Sequence, residues 1–173
     1  TPVAHADLLV VESTYGNRLH RPLDATLDEL VVALERTLKG ARGNVVIPSF
    51  AVGRTQELLF VLTRLTREGR LHGLNVHVDS PMALAATEVT LRHPELLDGE
   101  AHELMAWQKG HPKDPRIHFV QDVEESMALN TVRGGAIVLS ASGMCEAGRI
   151  KYHLLHNLPR PECAIVIVGF QAA

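Results

Sequence analysis

Leu8–Glu12, Asn44–Pro48, Gly135–Leu139 and Cys163–Phe170 are short runs in which nearly every residue is apolar or small, with valine and isoleucine prominent. A half-exposed strand alternates apolar and polar residues, whereas a strand apolar at successive positions must be covered on both faces. Leu74–Asp79 and Arg116–Val120 read as two further strands. Between the runs lie segments of helical spacing. Leu23–Leu38 places apolar residues at Leu23, Leu27, Leu30, Val31, Leu34 and Leu38. Thr55–Glu68 does the same with Leu58, Leu59, Val61, Leu62 and Leu65, and Gly69 stops it. Met82–Leu91 and Gly99–Trp107 read as helices separated at His93-Pro94, and Val123–Asn130 and Gly148–Asn157 as two more. Strand and helix alternating in this way predict an α/β fold with a mainly parallel, Rossmann-like, doubly wound sheet flanked by helices.

A chain of 173 residues that is 46% hydrophobic and 21% charged can bury a full core. Without an internal repeat or long linker it reads as one domain, residues 1–173. Strand-like runs lie close to both ends, so a piece of a longer chain is expected. The formal net charge of −3 gives no bulk attraction to nucleic acid, so any such contact needs a local patch. No run of about 18 apolar residues points to a membrane span. Cys145 and Cys163 have no metal-type spacing and fit a reduced, cytoplasmic setting.

In parallel α/β sheets ligands sit beyond the carboxyl ends of the strands. Here those ends carry Glu12, Ser13 and Thr14; Ser49 and Phe50; Asp79 and Ser80; Gln121 and Asp122; and Ser140, Ser142 and Gly143. Hydroxyls and free amides at helix starts hold anionic oxygen, though each Ser or Asp can equally be only a helix cap. Arg54 and Arg149 fall in the first turn of the helices that follow two of these loops. No phosphate-loop or dinucleotide fingerprint appears, and no Gly-x-Ser-x-Gly elbow. Of ten histidines, only His153 and His156 share a helix face, and two histidines rarely make a metal site.

Glu12-Ser-Thr-Tyr-Gly16, Pro48-Ser-Phe-Ala-Val-Gly-Arg-Thr-Gln-Glu57, Asp79-Ser-Pro-Met82, Ser140-Ala-Ser-Gly-Met144 and Gly148-Arg149 together resemble the β-CASP RNA nucleases of the metallo-β-lactamase fold. These include the bacterial and archaeal relatives of the cleavage and polyadenylation endonuclease. The resemblance runs through almost the whole chain, in order. It implies a β-CASP domain, with residues 8–16 ending the flanking metallo-β-lactamase part. It implies a parent chain that hydrolyses RNA with two zinc ions, whose ligands lie outside this sequence, so no residue here is expected to bind metal. Glu12 matches the acidic residue of the first β-CASP motif and is expected to act in catalysis by supporting a histidine. RNA or phosphate contacts are expected at Ser49, Phe50, Arg54 and Gln56, at Ser80, and at Ser140, Ser142, Gly143, Arg149 and His153. The implied partners are RNA and the metallo-β-lactamase domain of the same parent; oligomerisation is left open. Two other functions compete: a non-catalytic RNA or protein scaffold of the same family, and a Rossmann-like nucleotide-binding domain.

Overall fold

Every strand of the sheet runs parallel to its neighbours. The computed structural model describes residues 3–171, and the expected domain limits extend beyond these by two residues at each end. In chain order the elements are α1 (Leu23–Glu35), β1 (Val45–Pro48), α2 (Arg54–Arg67), β2 (Asn75–Asp79), α3 (Pro81–Arg92), α4 (Gly99–Gly110), β3 (Arg116–Phe119), α5 (Val123–Leu129), β4 (Ala136–Ser140), α6 (Ile150–Asn157) and β5 (Ala164–Ile165). A π-helical turn, Arg36–Ala41, extends α1. The strands lie in the order β3-β2-β4-β1-β5.

Alternate residues of β1 and β4 enter two different cores. Val45 and Ile47, Val76 and Val78, and Ile137 and Leu139 pack with Leu27 and Leu34 of α1, Leu58, Leu59, Leu62 and Leu65 of α2, and Ala83 of α3. Val46, Ala136 and Val138 pack on the opposite face with Leu129 of α5 and Ile150 of α6. The sheet is therefore doubly wound, as the apolar runs predict. The connections after β1 and β2 cover one face, and those after β3 and β4 cover the other. β4 stands between β1 and β2. Its outgoing loop thus leaves to the face opposite those of both neighbours, which opens a crevice at the carboxyl end of β4, the usual ligand position in open α/β sheets.

Two expected strands are corrected. Leu8–Glu12 forms none: among the described residues it pairs with no strand, and Leu8, Leu9, Val10 and Val11 are exposed. An apolar run becomes a strand only where a neighbour completes its ladder. Cys163–Phe170 shrinks to Ala164–Ile165. The amides of Ala164 and Val166 donate to the carbonyls of Asn44 and Val46. The next bond of that ladder would come from the amide of residue 48, and Pro48 has none to give.

No helix among the described residues is long and apolar enough to cross a membrane.

Candidate functional site

Asp79 ends β2 with its carboxylate on the α5–α6 face, completely removed from solvent. Such a charge needs partners from neighbouring elements. Arg149 Nη1, just before α6, donates to Oδ1 at 2.6 Å. Ser126 Oγ of α5 donates to Oδ2 at 2.6 Å, and His153 Nε2 of α6 lies at the same distance from that oxygen. Ser140 Oγ at the end of β4 donates to the Asp79 carbonyl at 3.0 Å. Burial pushes the Asp79 carboxyl up, but the bonds from His153, Ser126 and Arg149 outweigh it and hold the group below its ordinary value. One carboxylate thus ties together β2, β4, α5 and α6 at the crevice.

Arg149 remains partly open, with 22% of its side chain exposed. It is fixed at one nitrogen by Asp79 and follows directly on the Ser140–Gly148 loop in the chain. That loop is tightly wound. Ser142 N donates to the Ala147 carbonyl, Ile150 N donates to the Ala141 carbonyl, and Ser142 Oγ accepts from Met144 N at 3.3 Å. Gly148 has φ +83°, and a Cβ there would lie 2.7 Å from the Ala141 oxygen. Only glycine fits both conditions.

The loop after β1 meets this one. Ser49 N donates to the Ser140 carbonyl at 3.0 Å. A Cβ on Gly143 would lie 3.0 Å from the Phe50 ring, so the two loops touch where that side chain is missing. Ser49, Ser140, Ser142, Gly143, Phe50 and Arg149 are therefore brought together.

Several expected contact residues brace the loops instead of facing out. Ser49 is buried and its Oγ lies 3.0 Å from Thr55 Oγ1, which itself donates to the Phe50 carbonyl at 2.8 Å. Gln56 is buried; its Oε1 accepts from Gly53 N at 2.7 Å, and its Nε2 donates to Thr87 Oγ1 at 2.9 Å. Ser80 is buried as the cap of α3 and accepts from Ala83 N. His153 is 1% exposed, so in this structure it reaches Asp79 and not a solvent-side ligand. His156, its neighbour on the helix, is exposed, so the two do not converge. Arg54 faces out and pairs with Glu57 at 2.7 Å.

Glu12 departs furthest from expectation. Instead of ending a buried strand, it is exposed in an irregular segment. One carboxylate oxygen accepts the Thr14 amide at 3.0 Å, which lowers its pKa and closes the turn in which Gly16 N donates to the Ser13 carbonyl.

The sequence offered Asp79 as one strand-end acid among several, and gave no signal that Ser126, 47 residues later, would bond to it. Among the described residues no three His, Cys, Asp or Glu side chains are placed to hold a metal ion.

Residues 55–173 match the family model described as the Beta-Casp domain. The chain is 42% identical over 169 residues to Ribonuclease TTHA0252 of Thermus thermophilus, covering 96% of this chain and 38% of that protein. It is 29% identical over 178 residues to the RNase J-like protein of Methanocaldococcus jannaschii, covering 99% and 39%. With Transcription termination factor FttA of Thermococcus kodakarensis it shares 30% over 169 residues, covering 96% and 26%. The chain thus spans less than two fifths of the length of these relatives.

Proposed function

Because the chain belongs to the Beta-Casp domain family, the β-CASP part of metallo-β-lactamase-fold RNA nucleases, we propose that it is the RNA-gripping portion of a zinc-dependent ribonuclease that processes or degrades RNA. The supporting observation is Arg149: a guanidinium anchored from behind by a buried carboxylate and left partly open at a loop rich in small residues and hydroxyls. A planar donor held at one nitrogen keeps others for phosphate oxygen. The Ser142 hydroxyl and the Gly143 amide add neutral donors beside it. Phosphate contacts of this kind position a strand without reading its sequence. Ser49, Gln56, Ser80, Ser140 and His153 serve this grip indirectly, by fixing the loops and the Asp79 cluster.

Among the described residues the donors form no group that zinc would fit. In this reading the ions and the hydrolytic step belong to a metallo-β-lactamase domain of the same parent. Residues 8–16 lead from that domain, and Glu12 acts there in catalysis. The unpaired cysteines Cys145 and Cys163 suit a cytoplasmic setting.

A second reading is a non-catalytic RNA or protein scaffold of the family, and the flanking parts of the parent decide between the two. One experiment separates the readings. The 173-residue chain and its full-length parent are each incubated with labelled single-stranded RNA, with and without zinc. The ribonuclease reading expects zinc-dependent cleavage by the parent and none by the chain alone. Binding without cleavage by the parent supports the scaffold. A thermal shift with mononucleotides but not with RNA overturns both.

A further inference from the structure

Tyr15, Arg18 and Phe170 form a cluster that none of the phosphate-side contacts uses. The Tyr15 and Phe170 rings meet edge to face with centroids 6.2 Å apart. Arg18 Cζ lies 5.2 Å from the centre of one ring and 5.6 Å from the other. His20 supports Tyr15 at 4.2 Å. The cluster adjoins the candidate site: Gln171, next to Phe170, donates from Nε2 to the Gly143 carbonyl at 2.8 Å. Gly143 is also the residue that packs on Phe50. The loop that would hold phosphate is therefore linked to two separate aromatic surfaces, each partly exposed in this chain. Phe170 is 44% exposed and Phe50 50%.

We propose that Phe170, backed by Tyr15 and Arg18, is a stacking platform for a nucleobase of single-stranded RNA whose phosphate lies at the Gly143–Arg149 loop. The proposal rests on the RNA reading above. Apolar exposure alone would suit many partners, but three features together favour a base. An aromatic ring is exposed, a guanidinium lies over it, and a phosphate-type grip adjoins it. Proteins that bind single strands interleave such rings with cations along the backbone path. Every base has a π-face, so the platform tolerates any sequence but requires an unpaired base.

The test uses the full-length protein with a chelator present, so that binding is read without turnover. Two oligoribonucleotides of equal length are compared, one normal and one carrying abasic sites, which keeps every phosphate and removes the bases. Wild type is expected to bind the normal strand about tenfold or more tightly than the abasic one. Phe170→Ala should lose most of that preference while binding the abasic strand as wild type does. Phe170→Tyr should retain it. Equal weakening on both strands, or a fall in melting temperature without loss of the preference, would make Phe170 a packing residue and overturn the proposal. Equal affinity of wild type for the two strands refutes the platform and leaves the RNA reading standing. Failure of wild type to bind either strand removes the RNA reading and the platform with it.

Discussion

Asp79 and Arg149 meet at 2.6 Å although 70 residues separate them, and the carboxylate that anchors the pair is completely buried while the guanidinium is 22% exposed. The asymmetry gives each partner a task. Asp79 has no ligand to reach; it sets where Arg149 points.

Replacing Asp79 by Asn keeps the shape and removes the charge that His153, Ser126 and Arg149 share. Truncating one partner of a buried ionic cluster costs about 3–5 kcal/mol, so Asp79→Asn should lower stability substantially at neutral pH. The pH dependence has a definite sign. The native carboxyl titrates below its ordinary value because its hydrogen bonds outweigh the effect of burial. A group depressed on folding contributes stability above its unfolded pKa and loses it as pH falls through the folded one. Urea midpoints should therefore drop more steeply on acidification in wild type than in the variant, once the pH passes below the ordinary carboxylate range. Parallel acid limbs would show that the Asp79 charge contributes nothing.

Arg54 begins α2 on the open side of the loop that Ser49 and Gln56 brace, with 42% of its side chain exposed and Glu57 2.7 Å away. The surface pair is worth about 0–1 kcal/mol, so Arg54→Ala should leave the melting temperature almost unchanged. If Arg54 also neutralises a phosphate, RNA affinity should fall and the slope of log affinity against log salt should decrease by about 1. An unaltered slope would leave Glu57 as its only partner.

Gly148→Ala should be among the most damaging single changes. The residue sits at φ +83°, and the added Cβ would meet a backbone oxygen at 2.7 Å. Strain of this kind costs about 1–3 kcal/mol, and the clash cannot be relieved by a side chain moving. Because Arg149 follows directly, RNA binding should weaken along with the thermal midpoint. Wild-type melting and wild-type binding together would contradict the described loop.

Glu12 is exposed and bonds only within its own turn, so Glu12→Gln should barely move the melting temperature. In the full-length parent the same change should lower RNA turnover by one to a few orders of magnitude, within the ~10²–10⁴-fold range of general acid–base effects, if the carboxylate supports a proton-transferring histidine. Measuring turnover, bound zinc and melting on one preparation separates the two roles. Normal turnover leaves Glu12 as a turn cap.

The alternation of doubly apolar strands and amphipathic helices was legible in the sequence because burial on two faces leaves no polar position in a strand such as Val45–Ile47. Failure came where a strand depends on its neighbour. Leu8–Glu12 has the composition of a strand but no strand beside it among the described residues, and the last run ends early opposite Pro48. The loops were located correctly, since the chain reverses after each strand. The burial of residues within them was not legible: Phe50 and Gln56 stand in the same motif, yet one faces solvent and the other holds α2 to α3.

By itself, then, the sequence determined the α/β class, the parallel sheet and the strand-end loops where chemistry gathers, because hydrophobic period and turn residues are local properties of the chain. Only the tertiary structure decided the strand order that sets β4 between β1 and β2, and with it the crevice. It alone chose Asp79 as the buried charge and assigned it Ser126, Arg149 and His153. Partners brought together across 47 to 74 residues are selected by packing, and a buried carboxylate is stable only where packing delivers all of them at once.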